Sequence, residues 1–378
     1  MALPNGWAYR VQLVINRARV ISAETNVPVL LYWTGTASTS NLPLAMFNST
    51  FPNICAQSTG ADVRISTDAL GLSECPLEIA KFSTSAGGTG ITGQIWTKLP
   101  SVSTTADTTF FAWWQNPTAT AYAVNATYGR NNVWTNSYVS VYHLETAATN
   151  PVTNSVGTSQ YDGTTSNVTA LTTGQISGDG TWNRTSSFIA CADQDITVGT
   201  WSAWGRPDPT QVAYAKLVNK STVSGAPWTQ YNLTYDNGTP KLFGTEIAVG
   251  TTQYSAGKVA ALTANAWHFL AGRYNGGNLT CWIDGTQSGT RTDITGSLAT
   301  NDEAFNIGRS SFSGAAASEW WSGQIDEVRV QNAARSDGWI RTEYNMITAP
   351  QTFITQYSPN YNGPLSVRFQ QTPGLQGI

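Results

Sequence analysis

Along most of the chain, apolar positions alternate with polar ones or run together for five to seven residues, and clusters of Gly, Pro, Asn and Ser separate the runs. In the first third the runs are YRVQLVI (9–15), VPVLLYW (27–33), ADVRIS (61–66), LEIAKF (77–82), GQIWTKL (93–99) and TTFFAWW (108–114). Short runs of this kind, evenly punctuated by turn residues, predict strands of an all-β sandwich. A polar, turn-rich stretch then leads to a second series that opens at YVSVYHLE (138–145). It continues through SSFIAC, TWSAWGRP, QVAYAKLV, YNLTYDNGTPKLFG, WHFLAGRYNGGNLTCWIDG, EAFNIGR and GQIDEVRV. Asp236-Asn237-Gly238, Asn275-Gly276-Gly277 and Asp284-Gly285 mark hairpin turns, because these residue types tolerate positive φ.

One helix is predicted, after GQIDEVRV. Ser336 suits the N-cap, Asp337 favours the positive end of the helix dipole, and Ile340 and Tyr344 share a face. Gly338 weakens the helix and Pro350 ends it. The expected layout is two β-sandwich (jelly-roll) domains, at 1–118 and 138–347, joined by a linker at 119–137. An extended C-terminal arm follows at 348–378, with one strand-like run, LSVRF, inside it.

Charge narrows the function. Only 11% of residues are charged and the net charge is −3. No basic block would neutralise a run of phosphates, so nucleic acid binding is not expected. No apolar stretch is long enough to span a bilayer. The start, MALPNGWAYRVQLVI, shows no secretory signal pattern. Four cysteines without a C-x-x-C pair and two histidines argue against a zinc site. The cysteines, Cys55 and Cys75 included, read as buried free thiols. GTGITG (88–93) has dinucleotide-loop spacing but leads into a strand, so it is read as a loop.

The segments TWSAWGRP, AWHFLAGRYNGGNLTCWIDG, FNIGR and GQIDEVRVQNAARSDGWIRTEYN resemble, in this order, a LamG-like jelly roll of the concanavalin A-like lectin/glucanase superfamily. GWAYR, VPVLLYW, GADVRIS, LEIAKF, QIWTKLPSVS and FAWWQNP resemble a domain of unknown function common in bacterial surface and phage proteins. The resemblance implies binding or scaffolding rather than catalysis. The expectation is a non-enzymatic bacteriophage virion protein: a capsid decoration protein, a head fibre or a tail-associated protein. It would form a homo-oligomer, contact other virion subunits and adhere weakly to host glycans. The alternative is a lectin-like module of a bacterial surface protein.

Candidate chemistry is sparse. Asp326 and Glu327 are adjacent on a predicted strand, so they should point to opposite faces and fail as the carboxylate pair of a glycoside hydrolase. The resemblance raises Asp193, Asp195, Asp236 and Asp284 as calcium-binding loop acids. None stands in a D-x-[DN]-x-[DN]-G loop, so no cofactor is assigned. His268, beside a Trp, is read as a hydrogen-bonded structural residue. Aromatics are the richest signal: 15 Trp, 15 Tyr and 12 Phe. In each doublet, Trp113-Trp114 and Trp320-Trp321, one indole should face outward if the strand is buried on one side only. Glu319, Trp320 and Trp321 are therefore the expected platform for a glycan or a partner, whereas Trp201 and Trp204 fit the core.

Overall fold

In the computed structural model, residues 6–361 are described apart from 146, 158, 173, 177, 223–225 and 312–316. The expected all-β architecture of two sandwiches with a short C-terminal helix is present. In the first domain, Tyr9–Ile15 and Thr108–Trp114 pair antiparallel along their whole length, and Arg64–Ser66 and Glu74–Cys75 extend that sheet. Facing it is a three-stranded sheet in which Gly93–Val102 lies between Glu24–Trp33 and Leu77–Lys81. The second domain stacks an eight-stranded sheet, centred on Ser322–Gln331 and Gly199–Pro207, on a seven-stranded sheet running from Thr252–Ala260 to Thr164–Ser166. Every strand pairing is antiparallel, as hairpin-rich sequences require. The turns at Gly276 and at Asp284-Gly285 use positive φ, as their residue types predict.

The helix Asp337–Thr348 is capped by Ser336, whose Oγ accepts from the Trp339 N–H at 2.9 Å. It lies between the domains rather than on the jelly roll alone. Trp339, Ile340, Met346 and Ile347 join one apolar cluster with Val29, Leu31 and Ile95 of the first domain. On the other side Tyr344 stacks on Trp204 at 5.9 Å and touches Phe269. Trp204, Phe269 and Trp282 of the second domain belong to that same cluster, whereas Trp201 fills the jelly-roll core. Gly338, unfavourable by propensity, has a steric reason: a Cβ there would sit 2.0 Å from the Ser22 Oγ.

Two expected spacers are packed. In the linker, Val133 and Trp134 are fully buried, and the Trp134 indole donates to Glu78 Oε2 at 2.5 Å. Residues 350–361 do not begin as a free arm. Pro350–Phe353 forms a helical turn, and Ile354–Gln356 and Asn360–Tyr361 pair with Tyr9–Ile15, so this C-terminal segment closes the sheet edge of the first domain. LSVRF lies outside the described residues.

Because both domains and the helix share one apolar cluster, they should melt together. Calorimetry is expected to show one transition. Gly338→Ala should lower its midpoint by several degrees, because the added methyl forces the helix off Ser22. Two separable transitions would contradict a shared core.

Candidate functional site

The adjacent acids come first. The edge of Ser322–Gln331 is shared by two partners: Asp179–Asn183 runs along Ser322 to Ile325, and Tyr138–Tyr142 along Val328 to Gln331. The gap between them falls at Asp326 and Glu327. On the opposite edge the register slips between Ser202 and Trp204, which is a β-bulge, and Glu327 takes φ +49°. The bulge overturns the expectation that the acids face opposite ways. Ile325 and Val328 fill the jelly-roll core, and both carboxylates turn to the domain interface.

Both are fully buried. Glu327 Oε1 meets His143 Nδ1 at 2.6 Å and accepts from Gln94 Nε2 at 2.6 Å, and Oε2 accepts from Arg329 at 2.7 Å. Arg329 reaches on to Glu343 of the helix at 2.9 Å, and His143 Nε2 reaches Glu78 of the first domain at 3.2 Å. Trp96 and Trp134 wall the cluster, with Arg329 over both rings and His143 stacked on Trp96. Burial pushes His143 down, but Glu327 and Glu78 outweigh it and hold the imidazole up at about 10. Burial pushes Glu327 up, but His143 and Arg329 bring it down to about 2. Asp326 accepts from the Ile176 N–H at 3.0 Å and is raised well above the carboxylate range by burial and by Glu327. Paired within the protein and closed off from solvent, this cluster ties the domains together.

The calcium candidates divide likewise. Asp193 Oδ1 and Asp195 Oδ1 lie 3.0 and 3.2 Å from Lys220 Nζ, which also donates to Asn301 O and Oδ1. An ammonium of this chain therefore compensates them. Asp236 caps its own turn, and Asp284 holds His268 Nδ1 at 2.7 Å, so His268 has the structural role expected. Among the described residues no cluster of three or more His, Cys, Asp or Glu could hold a metal, and the four cysteines are buried and free. No helix among them is long and apolar enough to cross a membrane.

The expected platform is split. Trp321 is 0% exposed and stacks on Tyr235 inside the jelly roll, so it is not a binding platform. Its backbone N–H donates to the Gly308 carbonyl, which fixes that inward register. Trp320 is half-buried against Phe188. Glu319 alone of the three lines a groove of about 590 Å³ on the outer face of the seven-stranded sheet. Trp113 and Trp114 are both buried, their indoles bonded to Ser66 Oγ and Asn53 O.

Strand alternation builds that groove. Leu217, Leu233 and Ile247 point into the jelly roll, while Lys216 and Glu246 project from the same strands to the outer face. Glu246 Oε1 meets Lys258 Nζ at 2.6 Å, and its Oε2 meets Lys216 Nζ at 3.4 Å and accepts from Asn232 at 3.0 Å. Burial alone would raise Glu246, but the two ammonium groups bring it down to about 2. Lys216 Nζ also lies 3.5 Å from Glu319 Oε2. Burial raises Glu319 from its ordinary value, partly opposed by Lys216. At the rim stand Tyr214 and Trp228, 41% and 52% exposed. Tyr214 and Glu319 hold φ of +58° and +56°, strained for side-chain-bearing residues.

The groove contains two carboxylates, but one ammonium bridges them. A glycoside hydrolase needs its acid and base to face substrate across an open gap of about 5–10 Å. Lys216 fills that gap and Lys258 takes the other Glu246 oxygen. Sequence reasoning missed Tyr214 and Trp228. The available signal was position for Trp228, which follows Ala-Pro outside the apolar runs, whereas Tyr214 lies inside the run QVAYAKLV but two residues ahead of the strand that starts at Lys216.

Residues 177–341 match the family model Laminin_G_3, the concanavalin A-like lectin/glucanases superfamily. No curated protein matches the chain. Domain 4 of the extracellular GH43 arabinanase AbnA from Geobacillus stearothermophilus, solved with arabinotriose, is 15% identical with a TM-score of 0.42, over 55% of this chain and 98% of that one. The binding domain of Paraclostridial Mosquitocidal Protein 1 is 11% identical (TM-score 0.41, 55% of this chain) and that of botulinum neurotoxin serotype C1 is 12% identical (0.41, 56%). The chain spans 52% of each toxin domain's length. These likenesses are remote, and the lectin-like jelly roll rests on the family model and on the two stacked sheets.

The interface cluster makes stability depend on pH. His143, raised from 6.5 to about 10, contributes fully below pH 6.5 and loses its contribution as pH rises toward 10. Glu327, lowered from 4.5 to about 2, contributes above pH 4.5 and loses its contribution as pH falls toward 2. The cluster is therefore most stabilising between pH 4.5 and 6.5. Melting temperatures across pH 5–10 should fall less steeply in His143→Gln than in the wild type. Asp326 acts in the same sense, so the difference between the two curves isolates His143. Arg329→Met, which strands Glu327 and Glu343, should cost about 3–5 kcal/mol by chemical denaturation.

Proposed function

We infer that this protein binds glycans without chemical turnover, through the groove rimmed by Tyr214 and Trp228. The reading is carried by two exposed aromatic rings beside a fixed ladder of Lys216, Glu246 and Lys258. The apolar face of a sugar ring stacks on an indole or phenol, and its hydroxyls need donors and acceptors already held in place. The ladder offers both. Mutual ion pairing pins its side chains, so little rotamer freedom is left to lose on binding.

The setting we propose is a bacteriophage particle, with neighbouring capsid or tail subunits as structural partners and a surface glycan as ligand. Its support is the resemblance of residues 5–117 to a domain that precedes such modules, together with a charge-poor composition. Identifying the chains that surround this one in its native assembly tests the setting independently of the groove.

Glycan-array and calorimetric binding test the groove. Trp228→Ala should weaken binding by about 10-fold or more, and Tyr214→Ala by a smaller factor, with melting temperatures close to wild type. Trp321→Ala should instead lose stability, by about 3–5 kcal/mol, because its indole fills the core. Incubation with a bound oligosaccharide should release no new reducing ends. Glycan binding indifferent to Trp228 and Tyr214 would refute the site, and turnover lost in Glu246→Gln would refute the non-enzymatic reading.

A further inference from the structure

The groove wall continues into a second feature, built around Arg309. The segments on either side of 312–316 pair as a short ribbon: Ser310 and Ser318 exchange backbone hydrogen bonds at 2.9 and 3.0 Å, and the Trp321 N–H reaches the Gly308 carbonyl at 2.9 Å. Ser310, Ser318 and Glu319 line the groove. Between Gly308 and Ser310 stands Arg309, and next to Glu319 stands Trp320. The Arg309 guanidinium lies over the Phe188 ring, 3.3 Å from its centroid, and 5.6 Å from that of Trp320. Its Nε donates to Asn306 Oδ1 at 3.0 Å. Asn306 pairs in the sheet with Asn219, and Asn219 Nδ2 donates to Ser310 Oγ at 3.3 Å. A polar row thus runs across the outer face from the groove to Arg309.

What separates this arginine from the other buried or half-buried cations near it is its lack of a carboxylate. Lys216 has Glu246 and Glu319, Lys258 has Glu246, and Lys220 has Asp193 and Asp195. No ion pair among the described residues involves Arg309. It is half-buried, and burial lowers its pKa to about 10. Holding a guanidinium on the Phe188 ring with Trp320 beside it, partly desolvated and without a counter-charge, is unfavourable for the free protein. A guanidinium without a carboxylate beside it keeps a planar fork that an incoming carboxylate can engage with two hydrogen bonds.

We propose that Arg309, braced by Phe188, Trp320 and Asn306, forms an anionic subsite that takes the carboxylate of an acidic sugar whose chain runs into the Tyr214–Trp228 groove. The subsite rests on the glycan-binding reading and names the ligand class. A neutral sugar would use the groove alone. A uronate or another carboxylated sugar would use the groove and also supply the counter-charge that Arg309 lacks.

The test compares pairs of oligosaccharides that differ only in the carboxyl group: a uronate-containing oligosaccharide and its carboxyl-reduced counterpart. Binding to the full chain is measured by calorimetry at low and moderate salt. The uronate form is expected to bind about 10-fold tighter than the reduced form, and the preference should shrink as salt rises. Arg309→Gln should bring the uronate affinity down to that of the reduced form, and Arg309→Lys should restore only part of the preference, since an ammonium lacks the bidentate fork. Trp228→Ala should weaken both ligands together. Equal wild-type affinity for the two forms would overturn the acidic subsite while leaving the groove standing, and binding of neither form would overturn both. The wild-type comparison stands even if a variant fails to fold.

Discussion

The ion-paired cluster of Glu78, His143, Glu327, Arg329 and Glu343 is the constraint on which the rest of the molecule depends. Removing such groups from water is expensive, and only well-placed partners offset the loss. Here the partners come from separate parts of the chain: Glu78 from the first domain, His143 from the start of the second, Glu327 and Arg329 from the central jelly-roll strand, and Glu343 from the helix. A displaced first domain would strand charges in a dry interface walled by Trp96 and Trp134. Apolar contacts among Trp204, Tyr344, Trp339 and Val29 supply adhesion without direction. The ionic cluster supplies the register.

That docking decides which sheet face stays open. The eight-stranded sheet of the jelly roll turns Trp204, Phe269, Trp282, Asp326 and Arg329 toward the first domain and the helix. The outer side of the seven-stranded sheet is left to meet solvent, and there the groove forms. Rigid support below and adaptable rim residues above is the arrangement a binding surface needs, because a ladder that does not move loses little entropy when ligand arrives.

How much of this was legible in the sequence depends on which rule each element obeys. TTFFAWW became the strand Thr108–Trp114, and Ser336 capped the helix, because both follow local rules that neighbours reinforce. The two acids did not follow the local rule. Period-two alternation assumes an unbroken ladder, and nothing in GQIDEVRV marks a bulge at a glutamate with positive φ. The bulge exists because two strands share one edge and leave a gap, a fact of topology rather than of local propensity. The same limit applies to Trp321. A doublet divides between core and solvent only if its strand has a solvent face, and here the partner ribbon sets which indole turns inward. Tyr214 and Trp228 were hidden for the opposite reason. Trp228 stands outside the runs, where a single aromatic carries no periodic signal, and Tyr214 stands within QVAYAKLV but before the strand begins at Lys216.

Charge use gives the last step of the argument. With 11% charged residues, this chain pairs most of its buried ions within itself, Asp179 being an exception: the interface cluster, Lys220 with its two aspartates, and the Lys216–Glu246–Lys258 ladder. In the ladder the pairing cancels most of the field while leaving directed donors and acceptors, which suits hydroxyl groups that carry no charge. Arg309 breaks that economy. Its surroundings supply ring faces and one amide oxygen where the nearby Lys216, Lys220 and Lys258 have carboxylates. Arg329 finds its acids on its own strand and on the helix; on the acidic-subsite proposal, the negative charge that Arg309 lacks is the one the ligand brings.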